Sequence, residues 1–147
     1  MWCCLVGSEM CIRDRTSPKQ DVAWMKSFMS IKDQLDFKFI FCLEGKCIST
    51  NLYWAMSSNS VCVMPKPKYE SWFMEGKLED GVHYIEVKDD FSDAQEKIEF
   101  YNNNNDKCLE IIQNAQKFVK QFKNAKQERL IQLLILKQYF QSTGQNG

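Results

Sequence analysis

The sequence predicts an α/β fold built on a parallel sheet. Three apolar runs, Phe37–Leu43, Val61–Met64 and His83–Val87, have the length and the aromatic and β-branched content of strands. The first two are apolar almost without a break, the pattern of strands buried on both faces. A helical segment and a long loop separate the runs, not two-residue hairpin turns, and helical periodicity takes over after Asp90.

The first fifteen residues do not fit that scheme. Leu5–Arg15 back-translates into a transposase-type sequencing adapter, so residues 1–15 are expected to be a translated library artefact, disordered, with the native start upstream. A disordered native terminus is the alternative. Residues 16–147 are then an incomplete domain. Thr16–Asp36 is polar with scattered apolar residues (Val22, Trp24, Met25, Phe28) and is expected to form one or two short helices or a loop. Ser30 is placed to cap a turn that carries Ile31 and Leu35 on one face.

Phe37–Leu43 is the first strand. Gly45 then allows a sharp turn in a conformation that other residues resist. Ser49 or Thr50 can cap a helix over Asn51–Ser58. Val61–Met64 is the second strand, and Pro65 and Pro67 keep it from continuing as a ladder. Lys66–Val82 is a long connection with a short helix expected at Glu70–Glu75, closed by Gly76. Connections of this length are often functional. After the third strand, Asp89–Asp90 makes a turn, and Ser92 and Gln95 have the spacing of a capping box. Phe91, Ala94, Ile98 and Tyr101 recur at helical spacing. Asn102–Asn105 reads as a loop between helices. The next helix should bury a stripe of Leu109, Ile112, Ala115, Val119 and Phe122. The last, Glu128–Phe140, is apolar nearly all round, which calls for burial on several sides, in this core or against a further domain.

Composition narrows the function. Nineteen basic and nineteen acidic residues balance to a formal charge of zero, which leaves no electrostatic footprint for nucleic acid or for an anionic membrane. The longest apolar run, Leu130–Leu136, is interrupted by Gln132 and falls short of the ~20 residues that span a bilayer. The seven cysteines form no C-x-x-C pair, and the lone histidine, His83, has no ligand partner at metal spacing. These features imply no metal, a reducing compartment and a cytoplasmic location, with at most peripheral membrane contact.

In open parallel sheets, ligands sit at the carboxyl ends of the strands. Gly45–Asn51, Pro65–Trp72 and Lys88–Ser92 all fall on that edge. Gly45, Ser49, Thr50 and Asn51 put a turn before a helix start, where free N–H groups favour a phosphate or carboxylate. Lys66 and Lys68 can reach an anion from the next loop, or simply be solvated. Tyr69, Glu70 and Trp72 can bind a sugar or ribose by stacking and carboxylate hydrogen bonds; equally, Trp72 and Phe73 can pack inward. His83, at a strand start, reads as a structural histidine, and no nucleophile–base pair or carboxylate pair stands out.

Several blocks together carry a resemblance. KFIFCLEG (Lys38–Gly45), STNLYWAMSSNSV (Ser49–Val61), VMPKPKYESWFMEG (Val63–Gly76), GVHYIEVKDDFSD (Gly81–Asp93) and LILKQYF (Leu134–Phe140) resemble glycosyltransferase family 90, in its bacterial lipopolysaccharide branch. The resemblance implies the later part of the C-terminal, donor-binding domain of a two-domain GT-B-type enzyme, Rossmann-like and ending in a helical tail. It implies transfer of a hexose, glucose or similar, from a UDP-sugar to a lipopolysaccharide or related glycan, with no cofactor. The carboxylate base would belong to the missing N-terminal domain, leaving this fragment inactive. Gly45, Ser49, Thr50 and Asn51 would then face the diphosphate, Lys66 would join the donor-binding set, and Tyr69 and Glu70 would lie nearer the nucleoside or sugar. Asn51 stands where eukaryotic members carry an arginine. The bacterial branch usually has Asn there, but Lys46, Cys47 and Tyr53 depart from the bacterial pattern. Those departures suit the rival expectation, a non-catalytic α/β binding or structural domain derived from the same fold.

Overall fold

The computed structural model describes the backbone of Cys3–Leu5 and residues 29–145. The helices or loop expected over 16–28 lie outside the described residues. The elements are β1 (Cys3–Leu5), α1 (Ile31–Gln34), β2 (Phe39–Phe41), α2 (Leu52–Met56), β3 (Val61–Met64), a 3-10 turn (Glu75–Lys77) and β4 (Ile85–Glu86). They are followed by α3 (Ala94–Asn102), α4 (Asn105–Lys120), a second 3-10 turn (Gln121–Lys123) and α5 (Ala125–Thr143). The strands form one sheet in the order β1-β2-β3-β4, every pairing parallel, as the unbroken apolar runs require.

The outermost strand is a departure from expectation. Cys3–Leu5, within the segment expected to be disordered, pairs with Phe39–Phe41; the rest of residues 1–15 lies outside the described residues. Ladder bonds run a little past the formal ends of the strands: Val61 N–H donates to Lys38 O at 2.8 Å and Cys42 N–H to Val63 O at 3.0 Å.

Alternation along the strands builds two cores. Ile40, Cys42, Cys62, Met64 and Tyr84 point to one face, where α2 supplies Leu52, Ala55 and Met56. Phe39, Phe41, Val61, Val63, Ile85 and Val87 point to the other, covered by Ala94 of α3 with Ile98 and Tyr101 beside it. Cys42 and Cys62 are 0% and 2% exposed and act as small hydrophobes in this packing.

Helix α4 serves both faces. Its first half gives Cys108 and Ile111 to the second core, and its second half gives Ala115 and Val119 to the first. It gets there by running past the edge where the strands begin. Lys38, just before β2, bonds Asn105, and Gln116 Nε2 donates to Ser58 O at 2.9 Å and Asn59 Oδ1 at 3.0 Å, just before β3. The opposite edge, where the strands end, is left to loops.

Several local expectations are corrected. The buried stripe of α4 is Cys108, Ile111, Ala115 and Val119, with Leu109 exposed, because a helix that turns from one face to the other presents a rotated stripe. Ser30 caps α1 as expected, but Ile31 and Leu35 face solvent and Gln34 is the buried residue. No helix forms at Glu70–Glu75. The chain makes turns there and then the Glu75–Lys77 turn, held by the buried Glu75 carboxylate, which accepts both the N–H and the O–H of Ser71 at 2.7 Å. Phe73 goes inward and Trp72 outward. Asp93, not Ser92, stands at the N-cap of α3 and its carboxylate reaches back to Lys88 N–H at 2.8 Å, so the Ser92–Gln95 capping box does not form. The asparagine run shortens to a two-residue link, because Asn102 and Asn105 are already helical. Among the described residues, no helix is long and apolar enough to cross a membrane.

Candidate functional site

Three loops leave the sheet at its carboxyl edge, and specific bonds tie them together. Glu44, three residues past the end of β2, lies half-buried with its carboxylate across the loop after β3. It accepts Lys68 N–H at 3.0 and 3.2 Å and Tyr69 N–H at 3.3 Å. Lys68 Nζ in turn meets Asp89 Oδ1, in the loop after β4, at 2.9 Å. The hydrogen bond to Asp89 raises the Lys68 pKa, so the lysine is charged at any physiological pH. Both side chains are about two-thirds exposed, 62% and 66%, so the pair orients the loops more than it stabilises them.

The third loop is fixed from within. Asp90 accepts Ser92 N–H at 3.1 Å and Asp93 accepts Lys88 N–H, and these bonds hold both carboxyls below the ordinary value. Phe91 takes a left-handed backbone, φ 57°, and sets its ring edge-on to Phe41 at 6.1 Å. A bulky residue adopts that conformation only where its surroundings impose it. Between the second and third loops lies a shallow cavity of about 290 Å³, lined by Lys66, Pro67, Lys68, Glu86, Val87 and Asp89.

The residues proposed from sequence divide into two groups. Ser49 and Asn51 turn inward: they are 7% and 5% exposed, and the Ser49 hydroxyl donates to Asn51 Oδ1. The Asn51 amide donates to Phe41 O at 2.9 Å, so the two side chains clip the turn onto the end of β2. Neither Ser49 nor Thr50 caps α2. The N-cap position falls to Asn51, whose side chain makes no capping bond, and α2 is only five residues long. Gly45, Thr50, Lys66, Tyr69 and Glu70 instead face solvent on the carboxyl edge. Gly45 does not use its conformational freedom: the positive-φ glycines among the described residues are Gly81 and Gly144. Lys66 and Lys68 line the cavity, and the other residues proposed for the donor do not.

Glu44 and Asp89 were not foreseen. An acidic residue directly after the last apolar residue of a strand is the signal that could have found Glu44, since that position faces the ligand edge. His83 lies at the far edge and is structural, as expected. Its ring packs edge-on against Phe118 at 5.3 Å, its Nδ1 accepts Glu79 N–H at 3.2 Å, and burial lowers its pKa.

Beside the edge, Tyr53, Trp72 and Phe122 form an aromatic shelf, with ring centroids 5.5 Å (Tyr53–Trp72) and 5.4 Å (Trp72–Phe122) apart. Trp72 is 62% exposed there. The edge as a whole offers lysines for an anion, exposed aromatic rings, and carboxylates already engaged in holding loops. It can bind a charged, ring-bearing molecule.

Comparison with known proteins fits that chemistry. The sequence model of glycosyl transferase family 90 matches residues 9–141, starting inside the stretch that reads as adapter. The chain is 44% identical over 137 residues to the O-glucosyltransferase LpsA of Dichelobacter nodosus, which covers 93% of this chain and 41% of that protein. It is also 33% identical over 94 residues to protein 179R of Invertebrate iridescent virus 6, covering 59% of this chain and 8% of the viral protein. The chain therefore spans about two fifths of the length of the bacterial relative. The family match runs through all three loops of the carboxyl edge and through the helices behind them: the chain belongs to glycosyl transferase family 90.

Proposed function

We propose that this chain is the later part of the C-terminal, donor-binding half of a two-domain, GT-B-type hexosyltransferase. The intact enzyme transfers a hexose, glucose or similar, from a UDP-sugar to a lipopolysaccharide or related glycan. The observation that carries the reading is the 44% identity to an O-glucosyltransferase across nearly the whole chain. The arrangement of the carboxyl edge supports it. Lys66, on the cavity wall, can approach a diphosphate, Tyr69 and Glu70 follow it in the same loop for the nucleoside or sugar, and Gly45 and Thr50 are exposed on the same edge. Ser49 and Asn51 serve this edge by holding the turn in place. The carboxylate that activates the acceptor hydroxyl belongs to the other domain, so the chain alone is inactive.

The test is a full-length chimera in which this chain replaces the matched segment of the Dichelobacter nodosus relative. With UDP-glucose and a lipopolysaccharide core acceptor it should release UDP, and the chain alone should not. Lys66→Ala in the chimera should raise the donor KM roughly tenfold with little change in kcat, the loss of one charge-assisted contact made equally in ground and transition states. A chimera that folds but neither binds UDP-glucose nor releases UDP overturns the proposal. One observation favours a second reading, a non-catalytic binding domain: Ser49 and Asn51 are closed on each other rather than open to a ligand. Donor binding without turnover would favour that alternative.

A further inference from the structure

Glu86 puts a second kind of charge beside the lysines of the carboxyl edge. It is the last residue of β4, in register with Met64 of β3, and it lines the cavity between the second and third loops. The other charged residues there are Lys66, Lys68 and Asp89. Lys68 and Asp89 pair with each other, so Lys66 and Glu86 are the charged groups of the cavity that make no ion pair among the described residues.

The surroundings of Glu86 fix its backbone and half of its carboxylate. Val87 N–H donates to Met64 O at 3.0 Å, toward β3, so the N–H and C=O of Glu86 point away from the sheet. Both are taken: the N–H donates to Asp80 Oδ1 at 2.7 Å, and the carbonyl accepts Lys97 Nζ. Tyr84, two residues back on the same face, is 1% exposed, and its hydroxyl donates to Glu86 Oε2 at 2.9 Å. Burial, and after it the carboxylate, raise the Tyr84 pKa, so this hydroxyl stays protonated and stays a donor. The other oxygen, Oε1, has no hydrogen-bond partner among the described residues. A carboxylate can accept several bonds, and one held in place loses less freedom on binding than a mobile one.

We infer that Glu86 reads a hydroxyl of the nucleotide sugar: its carboxylate accepts that O–H while Lys66 meets the diphosphate, and Tyr84 is the positioning residue behind it. The inference rests on the donor-binding reading above. A carboxylate beside a diphosphate is repulsive unless a hydrogen-bond donor meets it, and hydroxyls are what a ribose or a hexose presents. A ligand without that hydroxyl leaves the carboxylate desolvated and unpaired, which makes Glu86 a specificity-determining residue.

Calorimetry on the full-length chimera tests it. Glu86→Ala should weaken UDP-glucose binding roughly tenfold, the loss of one charge-assisted hydrogen bond. Glu86→Gln keeps an oxygen for Tyr84 and should lose about threefold, and it carries the same comparison should Glu86→Ala fail to fold. Tyr84→Phe should raise the donor KM about threefold with kcat unchanged; a lower melting temperature with KM unmoved would overturn its positioning role. UDP separates the two sources of the hydroxyl. If it is the ribose, the Glu86→Ala loss persists with UDP and vanishes with 2′,3′-dideoxyuridine diphosphate. If it is the hexose, UDP binds both proteins alike. Equal losses with UDP-glucose, UDP and the dideoxy analogue overturn the inference, because no hydroxyl is then being read. So does tighter binding by Glu86→Ala, the sign of a carboxylate that only repels the diphosphate. A chimera that binds UDP-glucose and ignores both Glu86 substitutions defeats this inference alone. One that folds and binds no UDP-glucose defeats the donor-binding reading and the inference with it.

Discussion

Helices α4 and α5 are neighbours in sequence and similar in apolar content, yet one is the spine of the fold and the other buries none of its residues. In α4 the apolar residues fall on a stripe, and Cys108, Ile111, Ala115 and Val119 are each at most 4% exposed. In α5 they ring the helix and all remain exposed. The difference teaches that apolar content does not decide burial in this chain. A stripe matches a sheet face, which covers one side of a helix. A ring matches only a groove, and the four strands and their helices do not form one.

The largest expected effect sets these helices against each other. Ile111→Ala in α4 empties a site at 1% exposure, walled by strand residues on the second face, and should lower stability by about 2–5 kcal/mol in urea denaturation. Leu134→Ala in α5 of the same chain should change it by less than about 0.5 kcal/mol. Equal losses would mean that α5 packs on this domain after all.

A smaller effect applies the same contrast, packed against exposed, to the candidate site. Asn51→Ala strands the Phe41 carbonyl and the Ser49 hydroxyl in a buried turn and should cost roughly 1–3 kcal/mol of stability. Thr50→Ala, one residue away and exposed, should be nearly neutral. A large loss of stability from Asn51→Ala would place this side chain in the fold; an unchanged melt with weakened donor binding would place it in the site.

Much of the fold was legible because near-continuous apolar runs and a turn residue suffice to read it. The parallel sheet follows from the apolar runs, and β3 sits at Val61–Met64 as the proline at 65 dictates. What was not legible depended on residues far apart in sequence. The α4 stripe was misplaced because a helix that crosses from one core to the other does not keep one face inward. Glycine also misled. Gly45 and Gly76 drew attention as turn-makers, yet neither is left-handed; besides Gly81, the left-handed positions on the described loops are Met74 and Phe91, φ 57° each, where tertiary contacts override local preference. At the site, the loop that should hold a ligand was found by its place at the strand ends. Which of its side chains face outward was not readable, because Ser49 and Asn51 look equally suited to a ligand or to each other.

The smallest effect probes α4 through its histidine contact. His83 lies against Phe118 of α4, and its Nδ1 must be unprotonated to accept the Glu79 N–H. Burial lowers its pKa below the ordinary 6.5, while the nearby Glu79 charge pulls the other way without prevailing. The folded chain therefore binds this proton less readily than the unfolded chain. Between the two pKa values the unfolded state holds more protons, so stability rises with pH there and falls as pH drops below about 6.5. His83→Gln removes the titration. The wild type should lose stability relative to this variant between about pH 7.5 and 5.5, above the range where carboxylates dominate. Corrected for the intrinsic pH dependence of exchange, α4 amides around Phe118 should lose protection over the same interval, while α5 amides in the isolated chain stay unprotected throughout. Parallel pH profiles for wild type and His83→Gln would show that the imidazole contributes nothing to holding α4 on the sheet.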